Sequence, residues 1–257
     1  MTDVVAFDDV LIKALREAKN VVFFTGAGAS AESGIPTFRS GADGLWGDFD
    51  MEDYATSEGF TRNPKKVWQW YRDRRQDMAD LQPNTAHNVI ARWQKKVSNV
   101  TVITQNIDNF HQDAGSDHVI ELHGNIHQFK CLNDHPVVAS SVNTLDEPPL
   151  CEICGSLVRP DVVWFNEPLP QEAFEHAEMF SRESSVFVAV GCSMDVYPAA
   201  FLPAFAASSG AYLIQINPEV SAFDKYAHTL RGKAGEVLPQ LWLAVWGEVF
   251  SYVLIVA

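Results

Sequence analysis

The chain has 257 residues, of which 47% are apolar and 20% charged, with 15 glycines and 13 prolines. That composition excludes a disordered, collagenous or coiled-coil chain. Thirty-three acidic residues against 19 basic ones give a formal charge of −14, which repels phosphate backbones and argues against nucleic acid as the main partner.

The length suits one large domain, or a large and a small one. Four cysteines are too few to staple a secreted scaffold, and Met1-Thr2-Asp3 lacks the basic start and apolar run of a signal peptide. A reducing, cytoplasmic setting is the expectation, with the cysteines as metal ligands or core residues. In chain order, residues 8–18 carry helical apolar spacing behind a capping Asp. Residues 21–25 (VVFFT) read as a buried parallel strand running into a glycine segment, 26–34. The Gly- and Asp-rich stretch 41–60 reads as a mobile loop. Residues 64–80 form a helix opened by Pro64 and carrying Trp68, Trp70 and Tyr71.

A second unit follows, with helix 85–96, strand 100–104, loop 105–108 and strand 119–122. Residues 126–158 hold three of the four cysteines with little periodicity, and read as a small inserted module. Alternation then resumes with VVWF at 162–165, helix 171–181, strand 186–190, loop 191–196, helix 198–207, strand 212–216 and helix 232–242. Strands alternating with helices predict an α/β fold, a parallel sheet covered on both faces. The end, 241–257, is nearly all apolar but is broken by Gly247, Glu248 and Ser251, and is shorter than the ~20 apolar residues of a membrane span. It is expected to be a packed terminal element or a subunit contact, with no membrane as partner.

The strand leading into Gly26-Ala27-Gly28 and a helix start is a dinucleotide-loop geometry, in which glycine lets the backbone approach a pyrophosphate and helix N-terminal amides meet its charge. Position 31 is Ala where dehydrogenases have a third glycine, so the loop alone is a weak signal and a structural turn stays open beside it. Cys151-x-x-Cys154 is half of a zinc site.

Taken together and in order, GAGASAESGIPTFR (26–39), TQNIDNFHQDAG (104–115), ELHG (121–124), the C-x-x-C pair, RPDVVWFNE (159–167) and GCSMDVYPAA (191–200) resemble the sirtuin family, the NAD-dependent protein lysine deacylases. The resemblance runs from about residue 9 to about 242. It implies a Rossmann-like NAD-binding domain over 1–43, 85–125 and 159–257. It also implies a small domain made of a helical insertion and cofactor loop, 44–84, and a zinc-binding module, 126–158. NAD and an acylated lysine of a protein substrate would share the cleft between them.

By that resemblance His123 is the base that takes a proton from a ribose hydroxyl, with Asn106 and Asp108 holding the nicotinamide carboxamide and its ribose. Gly26, Ala27, Gly28, Ser30, Phe38, Arg39 and Gln105 belong to the phosphate and nicotinamide side, where Phe38 would shield the reactive carbon from water. Gly191, Ser193 and Asn217 match contacts to the adenosine half. The substrate backbone would add as a strand near Val163, Phe165 and the 191–196 loop. Tyr71 and Arg74, three apart on one helical face, resemble the class that removes succinyl and malonyl groups, and Ala55 leaves room for a longer acyl chain. A guanidinium binds a distal carboxylate through two hydrogen bonds and a tyrosine hydroxyl adds a third. The reading is therefore a desuccinylase and demalonylase with weaker deacetylation. NAD hydrolysis or ADP-ribosyl transfer is the rival, and an NAD sensor or a dehydrogenase is less favoured.

The zinc set expected is Cys131, Cys151, Cys154 and, by spacing, Asp134, with His135 the adjacent alternative. Two further departures from the family stand out. Asn166 replaces the usual Gly of WFGE, near the acyl-lysine channel, and Cys192 replaces the Thr of GTS.

Overall fold

A computed structural model describes residues 6–37, 50–142 and 145–250. In chain order, Asp8 caps helix α1 (Asp9–Glu17) by accepting from the Leu11 amide, and strand β1 (Asn20–Thr25) runs into the short helix α2 (Ala27–Ser30). Two short helices, α3 (Met51–Tyr54) and α4 (Ser57–Arg62), precede α5 (Pro64–Met78), which starts with Asn63 as cap and Pro64 in its first turn. Helix α6 (Thr85–Lys96) opens on a capping box between Asn84 and His87, and β2 (Asn99–Thr104), α7 (Phe110–Asp113) and β3 (Val119–Glu121) complete the first half.

The small region contains β4 (Gly124–Cys131), β5 (Pro136–Val137), α8 (Ala139–Val142) and β6 (Val158–Val162). Then come α9 (Gln171–Glu183), β7 (Val186–Val190), α10 (Leu202–Ser208), β8 (Tyr212–Asn217), β9 (His228–Arg231) and α11 (Ala234–Trp246).

Six strands form a parallel sheet in the order β3-β2-β1-β7-β8-β9, and β5-β4-β6 form a separate antiparallel sheet. This is the α/β, Rossmann-like arrangement that the alternation predicts. Successive strand residues point to opposite faces. Val21 and Phe23 therefore join Leu11, Leu15, Ile90, Trp93, Leu238 and Trp242 under α1, α6 and α11. Val22 and Phe24 join Phe187, Ala177, Leu202 and Ala206 under α9 and α10. Because both faces are covered, VVFFT is continuously apolar rather than alternating.

The chain order reverses between β1 and β7, and ligands of open α/β sheets bind at such a switch point. The two loops meet closely there: Gly28 N–H donates to the Gly191 carbonyl at 3.0 Å. A Cβ on Gly28 would lie 2.7 Å from Gly191 Cα, and Gly191 has φ +62°, so both positions require glycine.

Two expectations differ from the structure, one strand was not foreseen, and the apolar end packs as expected as far as Trp246. The described part of the supposed loop, 50–60, is helical, because Asp50 and Thr56 cap two short turns. VVWF at 162–165 does not return the chain to the parallel sheet: β6 is Val158–Val162 and pairs antiparallel with β4, so 159–162 belong with the small sheet rather than with the Rossmann-like part, and 163–167 form a turn closed by the Glu167 amide on the Trp164 carbonyl. β9 was not anticipated, since HTLR is short and half polar. Residues 241–246 of the apolar end are the last turns of α11, where Trp242 and Trp246 pack on Trp93 with centroids 5.6 and 5.3 Å away. Among the described residues no helix is long and apolar enough to cross a membrane.

Candidate active site and metal centre

A cleft of about 600 Å³ lies between the carboxyl ends of the parallel strands and the small region. Gly26, Ala27, Gly28 and Ser30 line it from the loop after β1, Gln105, Asn106 and Asp108 from the loop after β2, and Gly191, Ser193 and Asn217 from the ends of β7 and β8. His123 lines it from the turn between β3 and β4. Ala55, Tyr71, Arg74, Val163 and Phe165 line it from the side of α5 and the 163–167 turn. Phe38 and Arg39 lie outside the described residues.

His123 Nδ1 is 2.8 Å from the Gln105 carbonyl oxygen. A carbonyl only accepts, so Nδ1 carries the proton and Nε2 keeps its lone pair. Burial lowers the His123 pKa, opposed by the bond to Gln105, so the ring is a neutral proton acceptor near pH 7.

Asn106 donates through Nδ2 to the Gly26 carbonyl and to Ser30 Oγ, both at 3.0 Å. With its amide hydrogens used inside the protein, its side-chain carbonyl is the group left for a ligand. Ser30 Oγ donates to Asp108 Oδ2 at 2.6 Å, and Asp108 Oδ1 accepts from the Phe110 amide. Burial raises the Asp108 pKa, against the Ser30 and Phe110 bonds. His87, not anticipated from sequence, completes this network. Its Nδ1 accepts from the Asn84 amide, so Nε2–H is directed at Ser30 Oγ, 3.3 Å away. Burial pushes the His87 pKa down to about 4.

Asn217 Nδ2 donates to the Cys192 carbonyl at 2.9 Å and so holds the loop after β7. The Cys192 thiol is buried, pushed up to about 12 by desolvation, and fills space beside Phe24 rather than reacting.

The small-domain wall depends on α5. Lys65 pairs with Glu147, Lys66 with Asp53 and Arg72 with Asp146, while Arg75 is buried over Phe129. Arg74 is the basic residue of this helix that lines the cleft, with its guanidinium over the Trp70 ring at 5.1 Å. Tyr71 is buried one turn away, and its hydroxyl accepts from Trp164 Nε1 at 3.0 Å. The Phe165 amide donates to the Ala55 carbonyl, tying the 163–167 turn to α3. Asn166 lines the cleft with φ +68°, a left-handed conformation that Asn tolerates better than most residues other than Gly. Trp164 was visible in the quoted motif, but nothing in the sequence links it to Tyr71.

The metal cluster corrects one residue. The ligand atoms of Cys131, His135, Cys151 and Cys154 all lie within 4.8 Å of one another. Asp134 is not among them. With φ +60° it sits at the bend of the turn, and its largely exposed carboxylate pairs with Lys130 at 3.1 Å. His135, the next residue, returns inward with Nδ1 3.4 Å from Cys131 Sγ. Hydrogen bonds from Ser156 hold the Cys154 thiol down at about 5, in the thiolate form that a metal takes. Three thiolates and one imidazole suit tetrahedral zinc in a structural role.

The Sir2 family model matches residues 26–198. Among curated proteins, the NAD-dependent protein deacylase of Aquifex aeolicus is 50% identical, covering 82% of this chain and 88% of that one. The NAD-dependent protein deacylase 2 of Pyrobaculum aerophilum is 46% identical, covering 88% and 91%. A solved Sir2 homologue–NAD complex superposes with a TM-score of 0.86 at 40% identity, covering 94% of each chain. A Sir2–p53 peptide–NAD+ complex does so with 0.79 at 33%, covering 92% of this chain and 98% of that one. NAD is the cofactor of this family, and the Cys3His cluster fits the zinc it implies. With the strand order, the cleft and the matched sequence in agreement over most of its length, the chain belongs to the Sir2 family.

Proposed function

We propose that this Sir2-family protein is an NAD-dependent protein lysine deacylase that prefers the acidic acyl groups succinyl and malonyl to acetyl. The curated relatives support the deacylase part by their names, and the solved complex with a p53 peptide supports acylated protein as the substrate class. The observation that carries the preference is that Tyr71 and Arg74 line the same cleft as His123.

NAD, when bound, supplies the ribose whose anomeric carbon receives the acyl oxygen as nicotinamide leaves. The amides at the start of α2 meet its phosphates. Asn106 and Asp108 hold the carboxamide and the ribose beside it. His123 Nε2 accepts the proton of a ribose hydroxyl, its tautomer set by the Gln105 carbonyl. The acyl-lysine backbone lies extended along 163–165 and the 191–196 loop. At the far end of the acyl chain, Arg74 and Tyr71 bind the carboxylate. Charge-assisted bonds of about 1.5–3 kcal/mol correspond to roughly ten- to a hundredfold in affinity, enough to rank succinyl above acetyl.

The test is a panel of succinyl-, malonyl- and acetyl-lysine peptides with NAD, following nicotinamide and acyl-ADP-ribose. A kcat/KM for acetyl-lysine equal to or above that for the acidic peptides overturns the preference. Nicotinamide release that is independent of any acyl-lysine overturns deacylation in favour of NAD hydrolysis.

A further inference from the structure

Tyr71 presents a hydroxyl that is already half committed. Its oxygen accepts a hydrogen bond from Trp164 Nε1 at 3.0 Å, and both side chains are buried. An indole N–H donates and never accepts, and a phenol has a single hydrogen. The Tyr71 hydrogen is therefore left free for another partner, and Tyr71 lines the cleft.

The indole is itself held from several sides. The Arg159 guanidinium lies 3.3 Å from the Trp164 ring centroid, and the Phe60 ring packs at 5.1 Å. Arg159 forms a bidentate pair with Glu167 at 2.5 and 2.9 Å. The same carboxylate accepts from the Trp164 backbone amide at 2.9 Å and from Ser57 Oγ at 2.6 Å. One partly buried ion pair thus joins α4, β6 and the 163–167 turn and braces the indole from two sides.

We propose that Trp164 is a positioning residue for acyl selectivity: by donating to the Tyr71 oxygen it makes the Tyr71 hydroxyl a donor aimed at the carboxylate of an acidic acyl chain. The inference rests on the acidic-acyl reading above and adds the group that sets the polarity of its tyrosine. Trp164 does not touch the reacting atoms. It acts through Tyr71, so its effect belongs to substrate binding and to acidic substrates.

The experiment compares Trp164→Phe, Tyr71→Phe, the double variant and Arg74→Met on succinyl- and acetyl-lysine peptides. Trp164→Phe keeps a ring in the pocket and removes the N–H. Its KM for succinyl-lysine should rise about three- to tenfold, several times more than its KM for acetyl-lysine, with kcat little changed. The double variant should match Tyr71→Phe alone within about twofold, since the indole works only through the phenol. Equal rises for both substrates, or losses that multiply in the double variant, overturn the inference.

Wild-type enzyme provides a readout that needs no variant to fold. The Trp164 indole resonance in a ¹⁵N spectrum should shift with a succinylated peptide and much less with an acetylated one, and equal shifts overturn the inference. If Arg74→Met discriminates the two acyl groups while Trp164→Phe does not, this inference alone fails. If Arg74→Met does not discriminate them either, the acidic-acyl reading fails with it.

Discussion

The two walls of the cleft are built differently. The cofactor wall is made of strand ends: backbone amides of α2, the close approach of Gly28 to Gly191, and short side chains such as Ser30, Asn106 and Asp108 joined by bonds of 2.6–3.0 Å. The wall proposed to hold the acyl chain is made of long side chains, Tyr71, Arg74 and Trp164, on a helix and a turn packed around a separate small core. Helix α5 connects that wall to the metal module. Tyr71 and Val67 pack with Ala55, Ile126 and Trp164, whereas Trp68, on another face, packs with Phe129, Cys131, Cys151 and Val158. The difference teaches that the residues of the proposed chemistry are anchored in the large core, and those proposed for acyl choice in a small one packed beside the metal cluster.

The largest effect should come from the cofactor wall. His123→Ala should lower kcat by about 10²–10⁴-fold while NAD affinity, measured by calorimetry, stays within about twofold. A variant of near-normal activity would remove His123 as the base.

Removing zinc, by a chelator or by Cys151→Ser, should instead strike the acyl wall. Acyl-peptide affinity should fall at least about tenfold, and proteolysis should begin within 132–157, while NAD binding persists. Simultaneous loss of both ligands would break the comparison. Within this prediction, His135→Ala should release metal in an elemental assay and Asp134→Ala should not.

Arg74→Met should reduce kcat/KM for succinyl-lysine roughly ten- to a hundredfold more than for acetyl-lysine, sharpening the contrast between walls that serve binding and chemistry. Equal losses on the two peptides would count against it.

The smallest effect is on stability. His87 is buried with its pKa lowered to about 4, and burial lowers His111 and His123 as well. The unfolded chain takes up these protons near pH 6.5 and the folded chain does not, so stability is full above about pH 6.5 and falls on acidification. For His87 the window extends down to about pH 4. Asp108 and Glu121, raised by burial, pull the other way as they protonate. Thermal melts from pH 7 to 4 should show the net loss, and His87→Gln should make it shallower. An unchanged slope in that variant would assign the loss elsewhere.

Elements with their own signals were legible from the residues alone. Helix α6 was bounded correctly because Asn84 caps it and apolar residues recur at helical spacing to Trp93. The parallel sheet followed from alternating apolar strands and amphipathic helices, and the family resemblance pointed to sixteen residues, Gly26 through Asn217, that line one cleft. Weak local signals misled. α3 and α4 are single turns fixed by Asp50 and Thr56, and β9 is four half-polar residues completing a sheet edge. Spacing pointed to Asp134 and the cluster uses His135, because a left-handed residue at 134 turns one side chain out and brings the next one in.

Strand–helix alternation, capping and the order of the motifs were set by the sequence itself, because these act between residues a few positions apart. The fourth metal ligand, the coupling of α5 to the metal module and the bond from Trp164 to Tyr71 were decided by the tertiary structure. Those groups are brought together across up to 93 positions of chain, and only the packed fold determines which side chains face each other.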